Sequence, residues 1–271
     1  MSTATIDLST HPAPRSGGIT LTILRIELRR ILRNKRTLIF TLVFPVVMFL
    51  FIASQVTGQD DQMGTAYANV GAYIMVSMAL YGAIMATTAA GASVSIERAS
   101  GWSRQLRLTP LRPTAYVLMK VVLALVIGIV ATLMTFVVGE LSGKAHMLGR
   151  TWLEAGTIII AGSLVFAALG LFMGYLLPSE NAMQFLGPIL AVLSILGGIF
   201  SPPIDPHSTY GHIAALTPVY GYSEIAHWPL TLSHDGSYDS FHFSWVVNLV
   251  LWGVVFVAGA AWRFRKDTAR V

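Results

Sequence analysis

The sequence predicts an all-α integral membrane protein with six transmembrane helices, cytoplasmic N and C termini and an N-terminal amphipathic helix at the membrane interface. Composition is the first reason: 54% of the 271 residues are hydrophobic and only 11% are charged, against about 25% charged in a typical soluble domain. The second reason is the presence of six apolar stretches, and the third is the clustering of basic residues beside them. Membrane topology therefore explains the pI near 9.6 better than binding of nucleic acid does.

The apolar stretches approach the roughly 20 residues that a helix needs to span a bilayer. Their approximate limits are 37–56, 67–96, 114–139, 156–177, 183–204 and 244–262. Pro45 lies in the middle of the first segment and predicts a kink there. Lys120 lies near the start of the third, so its ammonium group is expected to reach the interface by snorkelling.

The distribution of lysine and arginine predicts the orientation. If the chain crosses the membrane six times, three basic regions lie on the same side of it: the region before the first segment, the link between the second and third segments, and the region after the sixth. Their basic residues are Arg15, Arg25, Arg29, Arg30, Arg33, Lys35, Arg36, Arg98, Arg104, Arg107, Arg112, Lys120, Arg263, Arg265, Lys266 and Arg270. The opposite side holds only Lys144 and Arg150. Because basic loops stay in the cytoplasm, both termini and the second-to-third link are predicted to be cytoplasmic.

Residues 19–36 predict the amphipathic helix. Its apolar residues recur at three- and four-residue steps, which place them on one face: Leu21, Leu24, Leu28, Ile31 and Leu32. Another face carries arginines: Arg25, Arg29, Arg33 and Arg36. Such a helix suits the headgroup layer of anionic membrane lipids. It is either a topological anchor alone or also a contact for a cytoplasmic partner.

A charged stretch at 97–113 separates the second and third segments. Gly101 permits a turn, and Trp102 and Leu106 lie four residues apart, on one face of a predicted short helix. Pro110 ends that helix, because the residue before a proline disfavours helical geometry. Its exposed tryptophan and arginines are typical of a docking surface. The alternative, that the arginines only enforce topology, leaves Trp102 and Gly101 unexplained.

This stretch resembles the cytoplasmic signature of ATP-binding-cassette type-2 permeases, the membrane subunits of drug, lipid and polysaccharide exporters. The residues that carry the resemblance are Glu97, Arg98, Gly101, Leu106, Thr109, Pro110, Tyr116 and Lys120. A second stretch, "LTPVYGYSEI", resembles a Leu/Asn-Pro element ending in glutamate in drug-resistance permeases. The chain departs from the family at Trp102, where threonine is more common.

The resemblance implies an ATP-driven exporter of the drug-resistance or polysaccharide type, whose ATP and magnesium are bound by a partner ABC ATPase subunit, with no cofactor in this chain. A second permease copy or a paralogue would complete a dimer. The positions implied in coupling to the ATPase are Glu97, Arg98, Gly101, Trp102, Arg104, Leu106 and Pro110. Charge further suggests that Glu97 pairs with the N-terminal helix at Arg29 or Arg33.

The predicted organisation has three consecutive parts, and the coupling region and the external segment both lie within the second. Residues 1–18 form a flexible tail, and 19–262 form the permease domain with its coupling region at 97–113. Residues 202–243 form an external segment, expected as a re-entrant helix pair or as a plain loop, and 263–271 form a basic tail.

Other residues bear on whether the chain is an enzyme or a zinc-binding protein. The chain has no cysteine, and "GELSGK" lacks the spacing and the following hydroxyl residue of a P-loop, so the chain is not expected to be an enzyme. The external histidines, interpreted as ordinary loop residues, lack the spacing of a zinc site: His207, His212, His227, His234 and His242. A secondary transporter or channel without an ATPase partner remains the main alternative, and an intramembrane enzyme is the other.

Small and hydroxyl residues within the segments predict packing and a path. Gly82, Ala86 and Ala90, and Gly170 with Gly174, form stripes that favour close helix packing, within the chain or between subunits. An apolar path or one lined by hydroxyl groups would favour an amphiphilic or lipophilic substrate. The candidates for such a lining are Thr87, Thr88, Ser93, Thr132 and Thr135.

Overall fold

The computed structural model describes residues 21–56, 67–101, 113–177, 181–201 and 204–268, which are helical with no β-strand. The α-helices are α1 (Leu21–Arg33), α2 (Lys35–Leu38), α3 (Phe44–Gln55), α4 (Val70–Ala92), α5 (Val94–Ala99), α6 (Pro113–Leu141), α7 (Gly149–Leu176), α8 (Asn181–Leu196), α9 (Thr209–Ala215), α10 (Tyr220–His227) and α11 (Phe243–Thr268). A π-helical turn, Ile39–Val43, joins α2 to α3, and a 3-10 turn, Trp228–Thr231, follows α10. The prediction of an all-α fold is confirmed.

Four helical stretches are long and apolar enough to cross a membrane: Val70–Ala99, Thr114–Leu141, Gly149–Leu176 and Phe243–Lys266. The first and fifth predicted segments are also helical, but their apolar parts, Ile39–Gln55 and Phe185–Leu196, are shorter. Length and composition thus support four of the six predicted spans directly.

The bundle is built around α4, which packs chiefly against α6 and α7, while α7 also packs against α11. Of the most apolar stretch of Val70–Ala99, 78% is buried, against 17% for that of Phe243–Lys266. The helix α4 is therefore the core of the bundle, and α11 presents most of its apolar surface outward.

Glycine allows α4 and α7 to approach closely. A Cβ atom at Gly170 would lie 2.2 Å from the carbonyl oxygen of Thr88, and one at Gly91 would lie 2.6 Å from that of Ala167. Gly174 likewise faces Ala92. The Gly170–Gly174 stripe therefore serves packing within the chain, as small residues commonly do between membrane helices.

The predicted hydroxyl lining is mostly packed inside the chain. The side chains of Thr87, Thr88, Thr132 and Thr135 are fully buried. Thr87, Thr132 and Thr135 donate hydrogen bonds to carbonyl groups of their own helix, and Thr88 donates to Phe166 of α7. These four threonines stabilise helix contacts, and the expectation that they line an open path is wrong for the single chain.

The predicted kink at Pro45 takes the form of a π-helical turn. The turn Ile39–Val43 ends immediately before α3, and the N–H group of Phe44 donates to the carbonyl of Ile39, five residues earlier. A proline has no N–H group and its ring collides with the preceding turn. A wider turn removes that collision without ending the helix.

The helices run between two ends of the bundle, which we name the junction end and the far end. The junction end is where Glu97 of α5 meets Lys120 of α6, and the far end is where Asn69 donates to the carbonyl of Lys144 at 2.9 Å. The chain passes from α1 at the junction end to Asn69 at the far end through α2 and α3.

The helix α8 also runs from one end to the other. It begins close to the end of α7, which lies beside Arg98 at the junction end. Beyond it, the carbonyl of Ser201 accepts a hydrogen bond from Tyr73 at the start of α4, at 3.0 Å. Within the described residues, six helical stretches thus run between the two ends, and the end of α11 lies at the junction end with α1, because Phe264 meets Tyr175 of α7 edge-on at 5.6 Å.

Candidate functional site

A buried cluster of charged residues joins α1, α5 and α6 at the junction end. We name it the ionic junction; its members are Glu27, Arg30, Glu97, Tyr116 and Lys120. The Glu97 carboxylate accepts hydrogen bonds from Arg30, Tyr116 and Lys120. The Glu27 carboxylate lies 2.8 Å from the Lys120 ammonium group and 3.0 Å from the Arg30 guanidinium group. Two carboxylates and two cations thus share one site.

The ionic junction is almost sealed from solvent. Lys120 is 0% exposed, Glu97 2% and Glu27 3%, whereas the Arg30 side chain retains 42%. Removing such charges from water costs several kcal/mol for each ion and is offset only by close pairing. A neutral set of four charges meets that condition, and Arg30 connects it to the surface.

Helical spacing brings the members together. Glu27 and Arg30 are three residues apart on α1, and Tyr116 and Lys120 are four apart on α6, so each pair lies on one helix face. Glu97 lies in α5 between them. Helices α1 and α6 therefore each present polar or charged side chains on one face, and the ionic junction forms where these two faces meet Glu97.

The structure corrects two expectations at this site. The partner of Glu97 on α1 is Arg30, whereas Arg29 and Arg33, proposed from charge alone, lie on the exposed side of the helix. Lys120 does not snorkel to the interface, because Glu27 and Glu97 hold its ammonium group inside the bundle.

Sequence reasoning missed Glu27. A signal was present, since Glu27 follows Leu24 by three residues and precedes Ile31 by four, which places an acidic residue on the apolar face of α1. Leu24, Leu28 and Ile31 pack against the cluster formed by α4 and α6. A carboxylate on such a face needs a buried cation, and Lys120 is that cation.

Two other predicted coupling residues end the helices at this site. The Arg98 guanidinium group donates to the carbonyl groups of Gly174 and Tyr175, at 3.4 and 3.2 Å. Terminal helix carbonyls lack partners and carry partial negative charge, so Arg98 caps α7. Gly101 has a φ of 72°, which glycine adopts readily, and it turns the chain out of α5.

Four predicted coupling residues lie outside the described residues: Trp102, Arg104, Leu106 and Pro110. The structure describes the residues that flank the segment 102–112 in the chain, which are Glu97 and Arg98 before it and Tyr116 and Lys120 after it.

A cavity of about 440 Å³ adjoins the ionic junction. Arg30 and Arg33 line one side, and Ala86 and Ala90 of α4 line the other. Small residues on α4 thus leave space beside α1.

At the far end, two short helices, α9 and α10, lie in the segment for which the sequence predicts a re-entrant helix pair or a plain loop. The Tyr222 hydroxyl group donates to the carbonyl of Ile159, which lies ten residues into α7, about 15 Å from its start at 1.5 Å per residue. Gly162 permits this approach, because a Cβ atom there would lie 2.2 Å from the Tyr222 ring. The helix α10 thus enters the bundle between longer helices.

Burial shifts two ionisable groups on α10. His227, interpreted from sequence as a loop histidine, is buried between Ser77, 2.9 Å from its Nε2 atom, and the Ser223 carbonyl, 2.8 Å from its Nδ1 atom. Its burial lowers its pKa to about 4. Burial likewise raises the pKa of the Glu224 carboxyl group to about 7. Among the described residues, no three histidine, aspartate or glutamate side chains are placed to hold a metal ion.

Apolar helices around a buried core, with charges confined to the ends, define a multi-pass membrane protein. A family model for the ABC-2 type transporter matches residues 20–227. This match covers well over half of the chain, so the protein belongs to the ABC-2 type transporter family. It is a membrane transport permease, which in bacteria resides in the plasma membrane.

A relative with a similar description comes from Bacillus subtilis (strain 168) and is named "Putative transport permease YvfS". It is 26% identical to this chain over 178 residues, which are 65% of this chain and 71% of the relative.

Proposed function

We propose that this chain is the permease subunit of an ATP-driven exporter that moves an amphiphilic or lipophilic substrate, such as a drug, a lipid or a glycan-like molecule, across the plasma membrane. A separate ABC ATPase subunit would bind ATP and magnesium and drive alternating access. Family membership supports the transport role. The observation that carries the coupling role is the ionic junction, which anchors the segment 102–112 to α1 and α6.

The proposed coupling between the ATPase and the permease helices follows from the arrangement of the ionic junction. A force applied to the segment 102–112 reaches Glu97, Tyr116 and Lys120, because they lie at its two ends. Since Glu97 and Lys120 are also paired with Arg30 and Glu27, the same force acts on α1. Paired buried charges resist separation, so the three helix ends would move as one unit.

The proposed topology has six spans with both termini in the cytoplasm. Two observations support it: six helical stretches run between the ends of the bundle, and the end holding α1 and the end of α11 is the one rich in lysine and arginine. The segment 202–243, with α9 and α10, would then be external and re-entrant.

A second permease copy or a paralogue would complete the transport path. The interior of the single chain around α4 is filled by packed side chains. Large apolar side chains on α3 and α8 face outward, including Phe51, Phe185 and Val192. We propose that a path forms between two permeases, with membrane lipids covering the remaining apolar surface.

The test is co-purification in detergent with a candidate ABC ATPase subunit. Wild-type permease should retain the ATPase. Trp102→Ala combined with Leu106→Ala should release it, because these two side chains lie on the predicted docking surface. Trp262→Ala is the matched control, since Trp262 is 58% exposed near the end of α11. If wild type binds no ATPase, a secondary transporter or channel becomes the better interpretation.

A further inference from the structure

The far end contains a second cavity, also of about 440 Å³, which we name the aromatic cavity. A volume of this size accommodates a small organic molecule. Its walls come from the start of α4, the end of α10, the 3-10 turn and the start of α11. It lies at the opposite end of the bundle from the ionic junction.

Aromatic rings form several walls of the cavity. Tyr73, Trp228, His242 and Trp245 all line it. The rings are fixed by their neighbours, since Tyr73 stacks on His227 at 4.1 Å and His242 meets Trp245 edge-on at 5.0 Å. The indole N–H group of Trp228 donates to the carbonyl of Asp239 at 2.9 Å, which fixes that ring as well. The aromatic walls are therefore held in place before any ligand binds.

The cavity is acidic, and it is fully negative only above pH 7, because burial raises the pKa of the Glu224 carboxyl group to about 7. Glu224 and Asp239 line it, and neither carboxyl group forms an ion pair with a residue that the structure describes. The sequence from Pro202 to Phe243 contains no lysine or arginine. His227 remains neutral at neutral pH, because its burial lowers its pKa to about 4. A mostly buried carboxyl group, Glu224, thus lacks a counter-ion.

Aromatic faces and an unpaired carboxylate select one class of ligand. The faces of tryptophan and tyrosine attract cations, and groups of aromatic rings bind quaternary ammonium ions in other proteins. A carboxylate in a partly dry site adds a charge-assisted attraction. Anions would be repelled, and among the described residues no three histidine, aspartate or glutamate side chains are placed to hold a metal ion.

We propose that the aromatic cavity binds an organic cation, a quaternary ammonium or protonated amine, with Glu224 as counter-ion and Tyr73, Trp228 and Trp245 as the aromatic cage. The site depends neither on the ATPase nor on the direction of transport. Its failure would leave the coupling role at the junction end untouched, and the reverse also holds.

The experiment titrates purified full-length protein in detergent with choline and follows tryptophan fluorescence, since two cage residues are tryptophans. The comparison compound is 3,3-dimethylbutan-1-ol, the uncharged isostere of choline, which has the same shape without the charge. We expect choline to bind at least tenfold more tightly than the alcohol. Equal binding of the two compounds, or no saturable signal with choline, would overturn the proposal.

Variants locate the site. Glu224→Gln keeps the size of the side chain and removes its charge, so choline affinity should fall at least tenfold. Glu140→Gln removes a carboxylate from the same end, outside the cavity lining, and should leave affinity unchanged. Tyr73→Leu retains Glu224 but removes an aromatic wall and should also weaken binding. If affinity is unchanged in both Glu224→Gln and Tyr73→Leu, choline binds elsewhere and the proposal is wrong.

A lipid headgroup and a free cation share this chemistry, and membrane composition distinguishes them. The titration is repeated in nanodiscs of phosphatidylglycerol and of phosphatidylcholine. Loss of choline binding only in phosphatidylcholine nanodiscs would identify the lipid headgroup as the occupant. Equal binding in both would identify a free cation.

Discussion

The ammonium group of Lys120 lies inside the bundle, paired with carboxylates from two other helices. A lysine near the end of an apolar helix usually extends its ammonium group to the interface. Here the ammonium group is fully buried, because Glu27 lies 2.8 Å away and Glu97 is in direct contact. Its partners are 93 and 23 residues distant in sequence, so only the tertiary fold brings them together.

The charge balance at Lys120 leads to a stability prediction. Lys120→Met leaves two buried carboxylates with Arg30 alone, and removing one partner of a buried pair costs about 3–5 kcal/mol. Lys120→Met combined with Glu27→Gln restores neutrality and should recover part of that loss. Thermal unfolding in detergent, followed by tryptophan fluorescence, measures both variants.

The control for this comparison is Lys144→Met, because Lys144 contacts Asn69 through its backbone carbonyl. It should unfold close to wild type. If the double variant unfolds at the same temperature as Lys120→Met, the loss arises from packing rather than from an uncompensated charge.

At the scale of elements, the contact between α4 and α7 depends on backbone proximity. Gly170→Ala would place a methyl group 2.2 Å from the Thr88 carbonyl oxygen, and a backbone atom cannot rotate away. Overpacking of this kind typically costs about 1–3 kcal/mol. We therefore expect a lower unfolding temperature for Gly170→Ala in the same fluorescence assay.

Gly187→Ala is the matched change for Gly170→Ala. Gly187 lies within α8, and a Cβ atom there meets no atom within 4 Å. Alanine favours a helix over glycine by roughly 1 kcal/mol, but a Cβ atom on the residue before Pro188 disfavours helical geometry, so the two effects offset and this variant should be close to neutral. A loss at both positions would mean that α8 packs more tightly than the structure shows.

The helices were predictable from the sequence where they depend on residues that are close together in the chain. Apolar runs set the six segments, periodicity set the faces of α1, and Gly101 set the turn after α5 with its positive φ. The pairing of Arg30 with Glu97 was not predictable, because charge alone does not distinguish Arg30 from Arg29 or Arg33. The burial of His227 also escaped prediction, since its partner Ser77 is 150 residues away.

At the scale of the whole molecule, the two ends of the bundle differ in chemistry. The junction end is basic and holds the ionic junction, while the far end holds an acidic, aromatic cavity. The helix α4 is the physical link, since Tyr73 near its start lines the aromatic cavity and Glu97 lies just beyond its end, in α5.

The chain has no cysteine, so each introduced cysteine is a unique label for testing sidedness. With six spans, a membrane-impermeant maleimide should label Lys144→Cys and His234→Cys in right-side-out vesicles, and Arg29→Cys and Lys266→Cys only in inside-out vesicles. The reason is geometric: the chain passes the length of the bundle through α3 and again through α8. Wild type should remain unlabelled. If Arg29→Cys is labelled with Lys144→Cys, α3 does not cross; if His234→Cys is protected while Lys144→Cys is labelled, α8 does not cross.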